Sequence, residues 1–417
     1  MKRQGPRPLG LHLTAAQATW TTSLAALPLL RSGLPPWKPD GRLSDLAPSL
    51  AAADPADLAQ AVERAVRRRS DAFLTGLERY RAHPYRRALD DPPVLWREGG
   101  SRLLDYGPPD GRPVLFVPSL INRGYILDLS QPRSLLRFLS RRGLRPMLLD
   151  WGEPGTEEQR FDLTDYVAGR LDRALDQAVA ETGGPVPVAG YCMGGTLAVA
   201  LAQRRPREVS VLALMAAPWD FHAAGEGAAR RLAALAAPWR PFLSAWGSLP
   251  VDALQALFLS LDPLLAARKF ARFAAMDPES EAAESFVALE DWLNDGMALA
   301  APVAEECLVD WYGGNTPAMG DWRIAGEPVL PGRVGCPSLH LIPARDRIVP
   351  PESARALAEA MAGSEILAPP LGHIGMVVSA AAREAVWEPL AAWLSGGRDK
   401  SERPVAPRRR RAVSSEG

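Results

Sequence analysis

Cysteine is scarce in this chain: three in 417 residues, at positions 192, 307 and 336. Three thiols exclude a disulfide framework and are too few for a zinc site made of cysteine alone. A reduced, cytoplasmic protein is therefore the expectation. A charge of one sign is also lacking. Basic and acidic residues number 48 each, for a net charge of zero. That removes the footprint of a nucleic-acid binder or an acidic solvating protein. Lysine is nearly missing, with four among the 48 basic residues, which we read as genomic base composition. Long apolar runs are absent too. Residues 11–30 carry no charge and follow Lys2 and Arg3, but Thr14, Gln17, Thr19, Thr21, Thr22 and Ser23 make them too polar for a signal peptide or a membrane span. A surface-seeking or partner-docking segment is expected there. No internal repeat is visible. What is present is ordinary globular material, 47% apolar and 23% charged.

Texture divides the chain into four parts. Residues 1–93 form an N-terminal extension, loosely ordered up to about residue 53. A helix then begins at the Asp54 cap, with Pro55 in its first turn, and carries an apolar face of Leu58, Val62, Val66, Phe73, Leu77 and Tyr80. Residues 94–218 and 331–395 alternate short apolar strands with helices. The strands are read at 114–117, 146–149, 186–189, 209–215, 338–342 and 365–367. Buried strands alternating with helices imply a doubly wound, mostly parallel sheet. Residues 219–330 interrupt it with a helical cap insertion, placed where it would overhang the carboxyl ends of the strands. The interruption holds six of the twelve Trp, at 219, 239, 246, 292, 311 and 322. They form the core of a cap, or some of them line an acyl channel or a dimer contact. Residues 396–417 are a polar tail with four consecutive Arg at 408–411. It is expected to be disordered, or to dock on an anionic surface or acidic partner.

The strongest chemical signal is Gly190-Tyr191-Cys192-Met193-Gly194-Gly195, which follows a strand and opens a helix. This is the nucleophile-elbow pattern with Cys in place of Ser. Small neighbours are needed at so sharp a turn, and the helix N-terminus behind it favours a thiolate. The Met193 backbone N–H then points to where an oxyanion would form. Asp346 follows the fifth of these strands and His373 the sixth. The order nucleophile, acid, histidine is that of α/β-hydrolases and brings all three to one sheet edge. Asp150 also ends a strand and is the rival acid. The loop 118–122 should supply a second oxyanion donor, Leu120 N–H first and Ser119 N–H as the alternative. His12, His83, His222 and His340 are read as structural, and Cys307 and Cys336 as packing residues. No metal cluster, dinucleotide loop or phosphate loop is visible, so no bound cofactor or metal is expected.

From about residue 80 to 395 the sequence resembles the poly(3-hydroxyalkanoate) synthases. The residues carrying the likeness are the box 190–196, the segment 117–129 that opens Val117-Pro118-Ser119-Leu120-Ile121-Asn122-Arg123, Asp150-Trp151-Gly152-Glu153-Pro154, Ala217-Pro218-Trp219-Asp220-Phe221, and Asp346 with Gly372-His373-Ile374. Asp150-Trp151-Gly152 and Pro218-Trp219-Asp220-Phe221 look most like the short, class III catalytic subunit. The chain departs from the family pattern at Ser119, usually Pro, at Arg123, usually Lys, and in the cap, where Trp311-Tyr312-Gly313-Gly314-Asn315 stands nearest to a Trp-Asn-x-Asp element. The resemblance implies an α/β-hydrolase fold, a growing acyl chain on Cys192, activation by His373, and Asp346 assisting His373 or the incoming hydroxyl. It also implies a 3-hydroxyacyl-CoA substrate, a polyester chain or granule surface as partner, and a second, non-catalytic subunit. A homodimer is allowed.

A thiol nucleophile suits thioester exchange, because the acyl group stays activated for attack by an alcohol. Three functions are thus open. The first is polymerisation of 3-hydroxyacyl-CoA with release of CoA. The second is a thioesterase, esterase or lactone hydrolase on the same Cys-His-Asp set. The third is a non-catalytic relative that binds granules or a synthase.

Overall fold

The computed structural model describes residues 3–32, 41–236, 238, 240–260 and 262–396. The Arg-rich tail and Trp239 lie outside the described residues.

Eight strands form one sheet: β1 (Val94–Glu98), β2 (Ser101–Asp105), β3 (Arg112–Val117), β4 (Leu144–Asp150), β5 (Val186–Tyr191), β6 (Val209–Met215), β7 (Ser338–Leu341) and β8 (Ser364–Leu367), in the order β1-β2-β4-β3-β5-β6-β7-β8. From β4 through to β8 every pairing is parallel, while β2 runs antiparallel to both β1 and β4. This is the arrangement of an α/β-hydrolase fold. Alternate residues of each central strand feed opposite cores, as a pleat of period two requires. Leu115, Val117 and Val188 join the cluster under one face, and Val114, Phe116 and Ala189 the cluster under the other. The β1–β2 hairpin is not among the strands read from sequence. β1 is half exposed, with Arg97 and Glu98 in it, so it lacks the continuous apolar run that marks a buried parallel strand.

The N-terminal region is more ordered than its composition suggests. Helix α1 (Leu9–Ala25) buries only Ala16 and Trp20, so no stripe is legible in the sequence. Its threonines are accommodated by bonding back along the helix, with Thr14, Thr19 and Thr22 hydroxyls donating to the carbonyls of Gly10, Ala15 and Ala18 at 2.8 Å each. Helix α2 (Pro55–Ala82) starts at Asp54, whose carboxylate accepts the N–H groups of Ala56 and Asp57. These two helices close on α5 (Leu265–Ala274) through an aromatic cluster, with Trp20 edge-on to Phe73 at 6.4 Å and Tyr80 edge-on to Phe270 at 5.6 Å. The insertion between β6 and β7 also contains α4 (Val251–Leu259) and α6 (Glu281–Asn294). Among the described residues no helix is long and apolar enough to cross a membrane.

Candidate active site

Strand β5 ends at Tyr191 and helix α3 (Met193–Arg204) begins two residues on, so Cys192 alone makes the turn. Its φ of 55° and ψ of −131° lie where L-residues rarely go. The flanking glycines have no room for a side chain. A β-carbon on Gly194 would stand 2.1 Å from the Val117 carbonyl oxygen and 2.5 Å from that of Pro118, and one on Gly190 would stand 2.4 Å from the Cα of Gly195. The elbow is therefore pressed against the end of β3. Gly194→Ala is expected to destabilise the fold by about 3 kcal/mol, the upper end for overpacking. Chemical denaturation would show it, and a variant as stable as the parent would mean the elbow can retreat from β3.

The strand ladders explain why distant residues meet here. Gly190 is in register with Val117, Tyr191 with Met215, and Leu341 with both Met215 and Leu367. These residues mark a common carboxyl edge. Pairing continues beyond it: Cys192 N–H donates to Met215 O at 2.8 Å, Ile342 N–H to Leu367 O at 2.8 Å, and Arg345 N–H to Leu371 O at 2.9 Å. The loops after β7 and β8 thus travel together for several residues and deliver Asp346 beside His373.

His373 Nδ1 lies 2.7 Å from Asp346 Oδ2. The other carboxylate oxygen of Asp346 accepts the N–H groups of Ile348 at 2.8 Å and Val349 at 2.9 Å. Both oxygens are engaged, which fixes the carboxylate plane and the ring it holds. Asp346 and His373 are each about 7% exposed, whereas Cys192 is only partly buried. Burial opposes a charged imidazole, but the neighbouring Cys192, the hydrogen bond to Asp346 and the Asp346 charge outweigh it and push the His373 pKa up to about 10. The Tyr191 ring lies 5.2 Å from the imidazole, and its hydroxyl donates to the His373 carbonyl at 3.2 Å.

Met193 opens α3, so its N–H has no partner within that helix. Leu120 turns its side chain into the core, while Ser119 and Ile121 on either side line the cavity at Cys192. The Ile121 N–H is taken by Ser119 Oγ at 3.2 Å. The loop itself is held by Trp151, whose Nε1–H donates to the Pro118 carbonyl at 2.9 Å. Asp150 is ion-paired with Arg102 and accepts the Gly152 N–H at 3.2 Å. It serves the same tight turn rather than the imidazole. Similarly, Asp220 accepts from Asn315 Nδ2 at 2.9 Å and Phe221 N–H donates to Asn315 Oδ1 at 2.9 Å, tying the segment just after β6 to the loop at Asn315.

The described tryptophans of residues 219–330 divide by position. Trp219 and Trp311 each pack edge to face on Trp322, at 6.1 and 5.2 Å, in the core that also holds Leu115 and Val188 of the sheet. Trp246 is 58% exposed. Trp292 lines the cavity and donates its Nε1–H to the Arg123 carbonyl at 2.7 Å. That cavity, of about 270 Å³, has Cys192 and His373 on the sheet side, and Phe258, Leu265, Lys269 and Glu290 of the segment between β6 and β7 also line it. Lys269 pairs with the buried Glu290 at 2.7 Å, and burial holds the Glu290 carboxyl above its ordinary value even so. Pro6, Arg7 and His12 also reach this cavity, which no local pattern in the sequence announces.

The remaining histidines and cysteines sit elsewhere. His83 and His222 face carbonyls of Pro278 and Tyr312, each at 2.9 Å. Burial depresses His340 to about 4. Burial also raises the Cys307 thiol far above its usual range and Cys336 to about 11. Among the described residues no group of three or more His, Cys, Asp or Glu is placed to hold a metal ion.

Comparison with known proteins bears on the whole assembly. The alpha/beta hydrolase fold family matches residues 112–380. A poly(3-hydroxyalkanoate) polymerase subunit PhaC of Haloferax mediterranei is 30% identical over 72% of this chain and 63% of its own length. The chain thus spans less than two thirds of that relative. The protein of the same name from Synechocystis sp. is 31% identical over 68% of this chain and 77% of its own length. Among solved structures, a monoacylglycerol lipase from Paleococcus ferrophilus aligns with a TM-score of 0.46 at 18% identity, covering 71% of this chain and 98% of that one.

Proposed function

The chain belongs to the poly(3-hydroxyalkanoate) polymerase family on the α/β-hydrolase fold, and from that premise we propose that it is an acyltransferase. It polymerises 3-hydroxyacyl-CoA to poly(3-hydroxyalkanoate) through an acyl thioester on Cys192, with release of CoA. The observation that carries this reading is the Cys192 thiol on its strained elbow, lining one cavity with an imidazole that Asp346 holds from behind.

The thiolate adds to the thioester carbonyl. The developing oxyanion is received by the Met193 N–H and a donor of the loop 118–122, for which we keep Leu120 N–H. The C–S bond to CoA breaks, and the His373 imidazolium supplies the proton to the departing sulfur. In the second half, His373 Nε2 takes the proton of an incoming 3-hydroxyl, whose oxygen attacks the acyl-Cys192 carbonyl and forms the ester. The bond to Sγ then breaks and the cysteine is free again. With both of its oxygens occupied, Asp346 is assigned to orienting His373 rather than to the hydroxyl itself. The segment 219–330 is proposed as the cap over this cavity, and a polyester granule surface and a second, non-catalytic subunit as partners.

The test supplies 3-hydroxybutyryl-CoA to the purified protein, with and without a candidate second subunit. CoA release together with insoluble polymer is expected. Soluble 3-hydroxybutyrate as the only acyl product would make the protein a hydrolase. Turnover of no acyl thioester under either condition would leave a binding protein.

A further inference from the structure

We propose that the N-terminal segment of residues 3–12 is a working wall of the catalytic cavity. Resting on the acyl-thioester reading above, it decides whether acyl-Cys192 is discharged to an alcohol or to water. The segment lies about a hundred residues before the stretch matched by the hydrolase family, which begins at residue 112. Yet Pro6, Arg7 and His12 line the same cavity as Cys192 and His373. Gly5 and Pro6 are buried.

Two arginines fasten this wall to the cap. Arg3 grips both carboxylate oxygens of Asp291 at 2.7 Å and also donates to the carbonyls of His83 and Tyr85 at 2.5 and 2.6 Å. Its side chain is 7% exposed. Arg7 pairs with Asp252 at 2.7 Å, and its backbone N–H donates to Asn294 Oδ1 at 3.1 Å. Asp291 and Asn294 belong to α6 and Asp252 to α4, two helices that line the cavity together with α5. The strap therefore bridges α4 and α6 with charge-assisted bonds at both arginines, the Arg3 side chain buried and the Arg7 pair exposed.

The consequence is chemical. A thioester on Cys192 meets two nucleophiles, the hydroxyl of an acyl chain and water. If water adds, the C–S bond breaks, a carboxylic acid leaves, and the proton that water loses returns by way of His373 to the thiol. Transfer to the hydroxyl wins only where bulk water is kept from the carbonyl carbon. An apolar cavity with an unfastened side would not keep it out.

The experiment uses the full chain carrying Arg3→Ala and Arg7→Ala, beside the parent and the charge-keeping Arg3→Lys/Arg7→Lys pair. Cys192 is acylated with one equivalent of 3-hydroxybutyryl-CoA, and the lifetime of the acyl-enzyme in water is followed by intact mass. Amide hydrogen exchange reports on residues 3–12. The alanine pair is expected to free the segment for exchange, to shorten the acyl lifetime roughly tenfold, and to shift the acyl product towards free acid. The lysine pair should recover part of the lifetime. An unchanged lifetime with residues 3–12 exchanging freely would overturn the proposal. Continued protection of those residues would overturn the claim that the two arginines hold them. Failure of the parent to take up an acyl group on Cys192 is a separate result. It removes the thioester reading, and this inference with it.

Discussion

Cys192→Gly is expected to abolish thioester turnover while leaving a protein more stable than Cys192→Ala. The two effects share one cause. At φ 55° and ψ −131° the backbone of residue 192 is strained for any L-residue and relaxed for glycine. Alanine removes the thiol and keeps the strain, whereas glycine removes both. The stability difference between the two variants should be about 1–2 kcal/mol in favour of glycine. Residue 192 is also the N-cap of α3, a position where glycine is preferred to alanine, and this works in the same direction. Both variants should lose CoA release by about 10⁴-fold or more, as expected when the nucleophile of a covalent mechanism is deleted. Urea titrations and a CoA assay on the same preparations decide it. Residual turnover near the parental rate would remove Cys192 from the reaction. Equal stability of the two variants would show that the neighbouring segments, not the nucleophile, set the elbow's geometry.

That strain also marks how far the sequence could be read. The elbow was legible because its requirements are local: a strand of small and apolar residues, Gly at 190 and 194, and a helix straight after. Asp346 and His373 were legible for a less local reason, since each follows a short apolar run and parallel strands end on one edge. The ladder that continues past both strands, to the Arg345–Leu371 bond, turns that order into a hydrogen bond. Asp150 illustrates the limit. It ends a strand just as Asp346 does, and only the Arg102 pairing across the antiparallel β2 shows that it serves a turn. The far side of the cavity was not legible. Whether Trp292 would face the cavity and Trp311 the core depends on tertiary packing, and both sit in similar helical texture. Least legible was the N-terminal wall. Helix α1 buries two residues four apart among threonines that satisfy themselves, and Arg3 finds Asp291 across 288 positions. No periodicity or spacing encodes a contact of that range.

Asp346→Asn should cost kcat/KM about a hundredfold or more at neutral pH, by analogy with the loss when the orienting carboxylate of a triad is neutralised. It should also move the titration of His373. In the parent protein the imidazole is held up to about 10, against an ordinary value of 6.5. The charged ring is thus favoured in the folded state. Its contribution to stability is fully present below pH 6.5, declines above it, and is lost as the pH rises through about 10. The amide at position 346 deletes both the charge and the carboxylate acceptor of the Nδ1–H. What is left to sustain the imidazolium is Cys192, acting against the burial of the ring. The pKa of His373 must then fall, and the stability advantage of the parent over Asp346→Asn should be largest in acid and shrink towards pH 10. An NMR titration of the His373 ring, run beside denaturant titrations across that range, reads both. The alkaline limb of the pH–rate profile should move down with the ring pKa, since the departing sulfur loses its proton donor. A ring that titrates at the same pH in both proteins would mean that Cys192 alone sustains the charge. Asp346 would then be a brace for the loop of Ile348 and Val349, and its place behind the imidazole would carry no catalytic weight.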